Sequence, residues 1–189
     1  ERDASLKRML HGLDRSVHLA EQMLAYSRAT VPGDASRRER VELENLLREA
    51  AEAIQPRLQE RRCTVDVAVA PTAAGAAVIG DRQKLLSLVT NLLDNAVRYG
   101  PEGGRVQAEV RRDGGAAVLA VADQGPGIPS DLRERVFESY YRIPGTVGSG
   151  SGLGLAIVKN VAEEHGARVE IEDGPGKRGA RVVVRFRAA

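Results

Sequence analysis

Three short segments of the chain carry the residue types that hold a nucleotide. They are Asn91-Leu-Leu-Asp-Asn95, Asp123-Gln-Gly-Pro-Gly127 and Gly150-Ser-Gly-Leu-Gly-Leu155, in that order. The first offers amide oxygens for a metal ion, the second a carboxylate for the edge of a base, and the third small residues that let backbone amides approach phosphates near a helix N-terminus. Each segment alone is a weak signal. Together they predict a site for ATP and Mg²⁺.

The first segment is expected to lie on a helix that runs to Tyr99. Asn91 and Asn95 are four residues apart and share a face of that helix. Arg98 and Tyr99 follow one turn further on. Asn95 could give its side-chain oxygen to Mg²⁺, Arg98 could hold a phosphate, and Tyr99 could line the base or the ribose. The alternative is a helix whose two asparagines cap a neighbouring loop.

Asp123 follows an apolar stretch that is typical of a strand, Ala117-Val-Leu-Ala-Val121. A carboxylate at this position can accept the exocyclic amine of adenine. Gly125 and Gly127 lack a Cβ and let the chain turn tightly beneath the ring. A surface turn of the Asp-Gln-Gly type is the alternative for this segment taken alone.

A loop of small residues, Ile143 to Ser149, precedes the glycine run. Its glycines predict a mobile lid that orders over the nucleotide. Arg142 is a candidate phosphate contact because a guanidinium offers a fork of donors to phosphate oxygens. The segment is not a P-loop, since no Gly-Lys-Ser or Gly-Lys-Thr follows the glycines. No Lys or Arg lies between Arg142 and Lys159, so the lid itself supplies no cation for the γ-phosphate.

The composition is that of a globular protein. The chain has 189 residues, 42% of them hydrophobic and 29% charged, which leaves room for one domain with a core and a smaller appendage. A net charge of +2 is too small to argue for nucleic acid. No stretch approaches the length of a membrane helix, and the single cysteine, Cys63, cannot form an internal disulfide. Because the chain starts at Glu1 and not at Met, we expect an excised piece of a larger protein.

The first part of the chain predicts a long helix with a heptad seam. The seam positions are Leu6, Leu10, Leu13, Val17, Ala20 and Leu24, whose spacing alternates between four and three. A seam of this kind needs partner helices in a bundle or dimer. The alternative is an amphipathic helix packed on its own domain. Pro32 and Gly33 then break the helix before a charged stretch, which we interpret as a linker.

The rest of the chain mixes helical and strand patterns. Helices are expected from Glu44 to Arg61, from Leu85 to Tyr99 with Asp81 as N-cap, from Ser130 to Phe137, and from Leu153 onward. Strands are expected at 41–43, 64–70, 105–110, 117–121, 168–172 and 180–186. We therefore predict an α/β fold, a two-layer sandwich in which helices cover one face of a mixed sheet, preceded by a long N-terminal helix. The predicted units are residues 1–30 for the helix, 31–40 for the linker and 41–189 for the sandwich.

Four motifs in this order resemble those of sensor histidine kinases. The three segments above are similar to the N, G1 and G2 boxes of that family, and Val136-Phe-Glu-Ser-Tyr-Tyr-Arg142 is similar to its F box. The resemblance covers residues 41 to 187 and identifies this part as a catalytic ATP-binding domain. It implies the Bergerat fold, which gyrase, Hsp90 and MutL share. The segment from Leu6 to Arg28 resembles the second helix of the family's dimerisation and histidine-phosphotransfer hairpin.

The resemblance implies a role for each candidate residue. Asn95 should coordinate Mg²⁺, with Asn91 assisting at the metal and phosphates. Asp123 should read the adenine amine, and Tyr99 should pack beside the base. The residues implied at the phosphates are Arg98, Arg142, Gly150, Gly152 and Gly154. The other cofactor-binding residues that it implies are Gly125, Gly127, Ile128, Leu153 and Leu155.

The implied activity is that of a protein-histidine kinase. ATP bound with Mg²⁺ would donate its γ-phosphoryl to a histidine on a dimerisation helix, and an aspartate of a response regulator would receive it next. The resemblance further implies a homodimer through the N-terminal helix. It also implies a cytoplasmic location, with the parent protein anchored in the bacterial inner membrane. Nucleic acid is not an expected partner.

None of the histidines matches the family's phosphoacceptor motif, a histidine followed by an acidic residue and then by Thr-Pro or a relative of it. His11 precedes Gly-Leu, His18 precedes Leu-Ala, and His165 precedes Gly. We therefore expect nucleotide binding without autophosphorylation. Two alternatives stay open. One is another enzyme of the same fold, such as an anti-sigma-factor serine kinase or an ATPase clamp, and the other is a regulatory module that no longer uses ATP.

Overall fold

The computed structural model describes residues 20, 23–27, 29–30, 38–70, 75–146 and 150–187. Its strands are β1 (Arg38–Glu42), β2 (Thr64–Val69), β3 (Ala77–Asp81), β4 (Arg105–Asp113), β5 (Ala116–Ala122), β6 (Arg168–Asp173) and β7 (Ala180–Arg187). Its helices are α1 (Leu43–Ala53), α2 (Gln55–Arg61), α3 (Arg82–Tyr99) and α4 (Gly154–Glu164). Short 3₁₀ turns lie at Ser130–Leu132, Arg135–Phe137 and Pro175–Lys177. Within these residues, none of the helices has the length and apolar character needed to cross a membrane.

Five strands form one mixed sheet in the order β2-β4-β5-β7-β6. Strand β2 runs parallel to β4, and the other neighbours are antiparallel. Side chains of β4, β5 and β7 share one hydrophobic core with α1, α3 and α4. The predicted two-layer sandwich, with helices on one face of a mixed sheet, is therefore confirmed.

Helix α3, which carries the first motif, begins at an aspartate. Asp81 Oδ1 accepts hydrogen bonds from the backbone N–H groups of Gln83, at 2.9 Å, and of Lys84, at 3.2 Å. These bonds satisfy two of the N–H groups that lack a partner in the first turn of a helix. The buried apolar side chains of the helix are Leu85, Leu88, Val89, Leu92, Leu93, Ala96 and Val97. Asp81 is thus the N-cap that the sequence predicts, and the packed face fixes how α3 presents its polar side chains.

Two of the helix predictions were wrong, because neither segment forms one continuous α-helix. The expected helix from Glu44 to Arg61 is broken at Ile54 into α1 and α2, because Pro56 has no N–H and cannot continue the hydrogen-bond ladder. The expected helix from Ser130 to Phe137 forms two separate 3₁₀ turns. So short a segment does not offset the cost of helix nucleation, and it therefore does not propagate.

A two-stranded ribbon lies apart from the main sheet, and the sequence analysis missed one of its strands. Strands β1 and β3 pair antiparallel, with Val41 opposite Val78. Strand β3 reads Ala-Val-Ile-Gly-Asp and is buried at both ends, so it lacks the alternation that identifies a half-buried strand. Strand β1 begins at Arg38, inside the segment 31–40 that the sequence predicts to be linker. The ribbon leads directly to the Asp81 cap of α3.

Charged side chains surround a small apolar patch on the other face of the sheet. Val118, Ala120 and Val183 are buried there as a separate cluster. In the strand register, Val118 lies between Arg111 of β4 and Arg185 of β7. The ion pairs on this face are Arg181 with Glu109 and Glu172, Arg185 with Asp113 and Glu170, and Arg111 with Glu109 and Asp113. The aliphatic stems of the arginines can shield the apolar patch while their guanidinium groups pair at the surface.

Helical residues near the N-terminus pack against the sandwich. They are residues 23–27 and 29–30. Ala29 is buried in the main core, and Tyr26 packs beside it. Ser139 Oγ donates a hydrogen bond to the Tyr26 hydroxyl at 2.8 Å. This contact joins the helical residues to the segment that precedes the lid.

Most of the predicted N-terminal helix lies outside the described residues, so its full length stays a prediction. The part outside includes the seam positions from Leu6 to Val17, together with His11 and His18. Of the seam positions that the structure does describe, Ala20 and Leu24 are exposed. An exposed Leu24 is what a seam that meets another helix would show.

Removing the N-cap of α3 is expected to lower the free energy of unfolding. In Asp81→Ala the N–H groups of Gln83 and Lys84 lose their acceptor, at a cost of about 1 kcal/mol. Asp81→Asn keeps an oxygen at the cap and should lose less. Urea denaturation of the three proteins checks this order, and an alanine variant as stable as the wild type would show that the cap contributes nothing.

Candidate nucleotide-binding site

One cleft gathers most of the residues that the sequence predicts for a nucleotide site. It lies between α3, the start of α4 and the loops around them, and its empty volume of about 960 Å³ includes space open to solvent. The predicted residues that line it are Asn95, Arg98, Tyr99, Asp123, Gly127, Ile128, Arg142, Gly150, Gly152, Gly154 and Leu155.

Helices α3 and α4 meet where Asn95 faces Gly154. A Cβ on Gly154 would lie 2.9 Å from Asn95 Nδ2, so only a residue without a side chain lets the helices approach this closely. Asn95 Nδ2 is buried, and among the described residues it has no hydrogen-bond partner. A buried amide donor without an acceptor is costly. A ligand oxygen in the cleft would remove that cost.

Arg98 is held by a buried carboxylate that the sequence analysis did not single out. Asp94 is only 5% exposed and accepts a hydrogen bond from Arg98 at 3.1 Å. Asp94 also pairs with Arg57 of α2. An added Cβ on Gly150 would lie 3.2 Å from the Arg98 guanidinium. Arg98 therefore stands between a buried acid and the glycine run. Its spacing of four residues from Asp94 is the sequence signal that could have revealed the pair.

The Asp123 carboxylate is fixed by backbone groups. Asp123 Oδ1 accepts hydrogen bonds from Gly125 N at 2.7 Å and from Ala180 N at 3.3 Å. Within the described part of the chain, none of the hydrogen bonds reaches Asp123 Oδ2, which leaves this oxygen for a ligand donor. Burial raises the pKa of the Asp123 carboxyl above its ordinary value, and the two N–H groups oppose that shift because they favour the charged form.

Gly179 makes this arrangement possible, and the sequence analysis missed it. Its φ is +73°, a conformation that favours glycine, and a Cβ would lie 1.9 Å from the carbonyl oxygen of Asp123. Gly179 belongs to the turn between β6 and β7, far from Asp123 in the sequence. Glycines at turns are common, so its type alone gave no signal.

The glycine run forms one wall of the cleft, called the glycine wall below. Tyr140 N donates to Gly152 O at 3.0 Å, and Leu153 N donates to Ser151 Oγ at 3.2 Å. Helix α4 begins at Gly154, so its first backbone N–H groups are at this wall. Backbone N–H groups at a helix N-terminus attract anions. This end of the cleft therefore suits phosphate groups.

Three predicted residues do not line the cleft. Asn91 donates its amide to Ser87 O at 2.8 Å, one turn away from Asn95. Gly125 lies against the backbone, where a Cβ would be 2.3 Å from the carbonyl oxygen of Tyr99. The Leu153 side chain is completely buried in the hydrophobic core. Its backbone alone remains near the glycine run.

Apolar residues of the cleft wall were missed by the sequence analysis. Those outside the predicted set are Leu92, Ala96, Val121, Val136, Ile143, Ala180 and Val182, together with Pro126, Tyr141, Thr146 and Ser151. Val121 of β5 and Val182 of β7 are register partners, so they share one face of the sheet. Val121 ends a strand that the sequence predicts, two residues before Asp123, and this position was an available signal. The lid is described as far as Thr146, whose Oγ1 donates to Ile143 O at 2.7 Å.

The residues of the cleft suit a metal ion that is held mainly by phosphate oxygens. They suit a metal ion held only by protein side chains less well. Among the described residues, no group of three or more His, Cys, Asp or Glu could hold a metal ion. Mg²⁺ usually keeps waters and phosphate oxygens in its shell and takes only one or two protein ligands. The Asn95 side chain at the glycine wall can supply one such oxygen.

Comparison with known proteins agrees with this geometry. Residues 80–189 match the family described as Histidine kinase-, DNA gyrase B-, and HSP90-like ATPase. The solved structure of a mycobacterial sensor histidine kinase, MprB, has 35% sequence identity and a TM-score of 0.68, over 79% of this chain and 96% of that one. The chain therefore belongs to this ATPase family, among the sensor histidine kinases.

Two longer relatives show how much of a sensor protein this chain matches. The swarming motility regulation sensor protein RssA of Serratia marcescens is 32% identical over 186 residues, which are 97% of this chain and 39% of RssA. Full-length ShkA, solved in complex with AMPPNP, has 31% identity and a TM-score of 0.73, over 93% of this chain and 37% of ShkA. The chain spans two fifths or less of the length of the curated relatives it matches.

Proposed function

We propose that this chain is the ATP-binding catalytic half of a two-component sensor histidine kinase. It binds ATP with Mg²⁺ and positions the γ-phosphoryl for transfer to a histidine on a dimerisation helix outside this chain, and then onward to an aspartate of a response regulator. The observation that carries the proposal is the cleft itself. In the part of the chain that the structure describes, it combines a carboxylate with an oxygen that accepts no hydrogen bond, a buried amide without a partner, and a glycine run at a helix N-terminus.

The base side of the cleft is proposed to select adenine. Asp123 Oδ2 would accept the exocyclic amine, while Oδ1 stays bonded to Gly125 N and Ala180 N. Val121 and Val182 offer an apolar surface to the ring. Because the carboxylate is oriented by backbone groups, it needs no rearrangement to meet the amine.

The phosphate side would use the meeting point of α3 and α4. Asn95 would give its amide oxygen to Mg²⁺ and its unsatisfied Nδ2 to a phosphate oxygen. The backbone of Gly152 and Gly154, with Arg98 and Arg142, would surround the phosphates. Bound Mg²⁺ supplies positive charge that offsets the charge on the phosphoryl oxygens. Phosphoryl transfer needs positioning and charge neutralisation more than covalent help from the protein.

The contacts of His165 argue against it as the phosphoryl acceptor. Its Nδ1–H donates to Val161 O at 2.7 Å, and its Nε2 accepts from Asp81 N at 3.0 Å. Both ring nitrogens are therefore engaged. His165 also caps the C-terminal end of α4, whereas the cleft is at the N-terminal end. A histidine supplied by another helix is thus part of the proposal.

The wider context is proposed from the relatives. Proteins named as sensors, such as RssA, include this region within a longer chain. We infer that the parent protein works with a response regulator, dimerises through the N-terminal helix, and is anchored in the bacterial inner membrane with this part in the cytoplasm. The exposure of Leu24 supports the dimer, since a leucine on a seam needs a partner surface.

The alternatives make different predictions. A serine kinase or ATPase clamp would use the same cleft, but it would not need a heptad helix before it. A regulatory module that no longer uses ATP would not need to retain a desolvated carboxylate or a buried donor that finds no partner among the described residues, since both cost stability. Nucleotide binding therefore separates the regulatory module from the histidine kinase and from the other enzymes of the same fold.

The first test is calorimetric titration with ADP and a non-hydrolysable ATP analogue, with and without Mg²⁺. Wild-type protein should bind both, about tenfold or more tightly with Mg²⁺. In Asn95→Ala the gain from Mg²⁺ should disappear, because the protein oxygen for the metal is lost. Asn45→Ala, an exposed asparagine on α1, is the matched control and should bind as the wild type does. A folded wild type that binds no nucleotide would leave the regulatory module as the better function.

The affinity for ADP should also fall as the pH falls through the raised pKa of Asp123. The charged carboxylate accepts the adenine amine, whereas the protonated form accepts it less well. Binding is therefore full above the raised pKa and lost below it. Measuring affinity from neutral pH down to about pH 4.5 checks this. A profile that stays flat until the ordinary pKa range of a carboxyl is reached would argue against the role of Asp123.

Asp123→Asn is the matched control for that profile, because an amide does not titrate in this range. It should bind ADP at least about tenfold more weakly at neutral pH and show no such fall. It should not lower the free energy of unfolding at neutral pH. A raised folded-state pKa means that Asp123 favours folding only while protonated, below its unfolded pKa, and that this contribution is lost as the pH rises through the folded value.

Incubation with radiolabelled ATP should leave the chain unlabelled. His165 is engaged through both ring nitrogens, and His11 and His18 lack the acidic neighbour of the phosphoacceptor motif. Acid-labile label recovered on any of the three would contradict this expectation. A dimerisation helix that carries the motif, added in trans, is the positive control.

A further inference from the structure

Arg133 lies outside the cleft. It holds the loop 123–129, which forms the side of the cleft proposed for the base. It follows the Ser130–Leu132 turn, and its side chain is about a quarter exposed, at 27%. Its Nε donates to Ile128 O at 3.2 Å, one terminal nitrogen donates to Ile171 O at 3.2 Å, and the other pairs with the carboxylate of Asp173. Ile128 lines the cleft, whereas the other two partners belong to β6.

The hairpin of β6 and β7 holds the start and the middle of the same loop. Asp123 N donates to Ala180 O at 3.0 Å, and Ala180 is the register partner of Asp173. A Cβ on Gly127 would lie 2.9 Å from Gly179 O, so the two backbones are in contact there. The loop is therefore anchored to one hairpin at its start, at its middle and, through the arginine, at its end.

An arginine suits this position for two reasons. Among the described residues, strand β6 is the edge of the sheet, so carbonyl groups on its outer side have no strand partner there. The residue after Ile128 is Pro129, which has no N–H and cannot bond back to the hairpin. A planar guanidinium can reach a carbonyl on each side and the carboxylate at once, whereas an ammonium group presents a single point charge. The arginine thus replaces a backbone bridge that the chain cannot make.

We propose that Arg133 is a positioning residue for the nucleotide base. By joining Ile128 O to β6, it fixes the distance between Ile128 and Asp123 and so the width of the base side of the cleft. It does not line the cleft, so it acts through Ile128. The inference rests on the proposed ATP binding, and it assigns to Arg133 the recognition of adenine and not the contacts with phosphate.

Replacing Arg133 with alanine should weaken the binding of ADP about tenfold and leave the binding of GDP within about twofold. Guanine carries an oxygen where adenine carries the amine, so GDP gains nothing from a well-placed Asp123. The ratio of the two affinities should therefore fall. A role in folding alone would reduce the fraction of folded protein and weaken both nucleotides by the same factor, which leaves the ratio unchanged.

Three other variants sharpen the test. Arg133→Lys should give a ratio between those of the wild type and the alanine variant, since one ammonium cannot reach all three acceptors. Asp173→Ala leaves both carbonyl bonds in place and should weaken ADP only about twofold to threefold. Arg48→Ala removes an exposed arginine of α1 that pairs with Glu44, and it should keep the wild-type ratio.

The measurement is competition of ADP and of GDP against a fluorescent ADP analogue, at a temperature where circular dichroism shows every variant folded. An Arg133→Ala protein with the wild-type ratio would overturn the inference. Should that variant fail to fold, the lysine variant and Asp173→Ala carry the same test, and wild-type ratios in both would overturn it equally. If the wild-type protein binds no ADP, the proposed function itself is contradicted. That result is distinguishable from a wild type that binds ADP and an Arg133→Ala protein that keeps the wild-type ratio.

Discussion

The close approach of three backbone segments around Asp123 is the constraint on which the site depends. A Cβ on Gly179 would be 1.9 Å from Asp123 O, and one on Gly125 would be 2.3 Å from Tyr99 O. The end of β5, the start of β7 and the end of α3 are therefore packed backbone to backbone. Such contact leaves the Asp123 carboxylate half-buried, and burial raises its pKa. Desolvation of a carboxylate is costly, and two backbone N–H groups that belong to the fold offset part of the cost.

The two ends of the cleft are built by different means. The side proposed for the base is formed by strand ends and by a loop fixed to a hairpin, so its shape follows the register of β6 and β7. The side proposed for the phosphates is formed where α3 meets α4, at Asn95 and Gly154. There a buried donor has no partner among the described residues, which lowers stability as long as the cleft holds no acceptor. Proteins most often retain groups that lower stability at functional sites. The buried Asn95 amide and the desolvated Asp123 carboxylate are two such groups, and both lie in this cleft.

Local signals in the sequence predicted much of the fold. The Asp81 cap, the apolar face of α3 and the alternating strands depend on near neighbours, and the break at Pro56 could have been predicted in the same way. What was missed depends on residues distant in the chain. Gly179 matters because of Asp123, Asp94 is fixed by Arg57 as well as by its own helix, and β3 is recognisable only beside β1. No periodicity within one segment records such contacts, so the motifs identified residues that line the cleft better than they identified the groups that hold those residues in place.

The helical residues near the N-terminus are connected to the cleft through one short segment. Ser139 bonds to the Tyr26 hydroxyl, and the next residue, Tyr140, donates its N–H to Gly152 O. Tyr140 has a φ of +66°, so the backbone turns sharply between these two attachments. Adjacent residues therefore make the two bonds, one to the helical residues and one to the glycine wall. The segment before the lid is thus in contact with both of them.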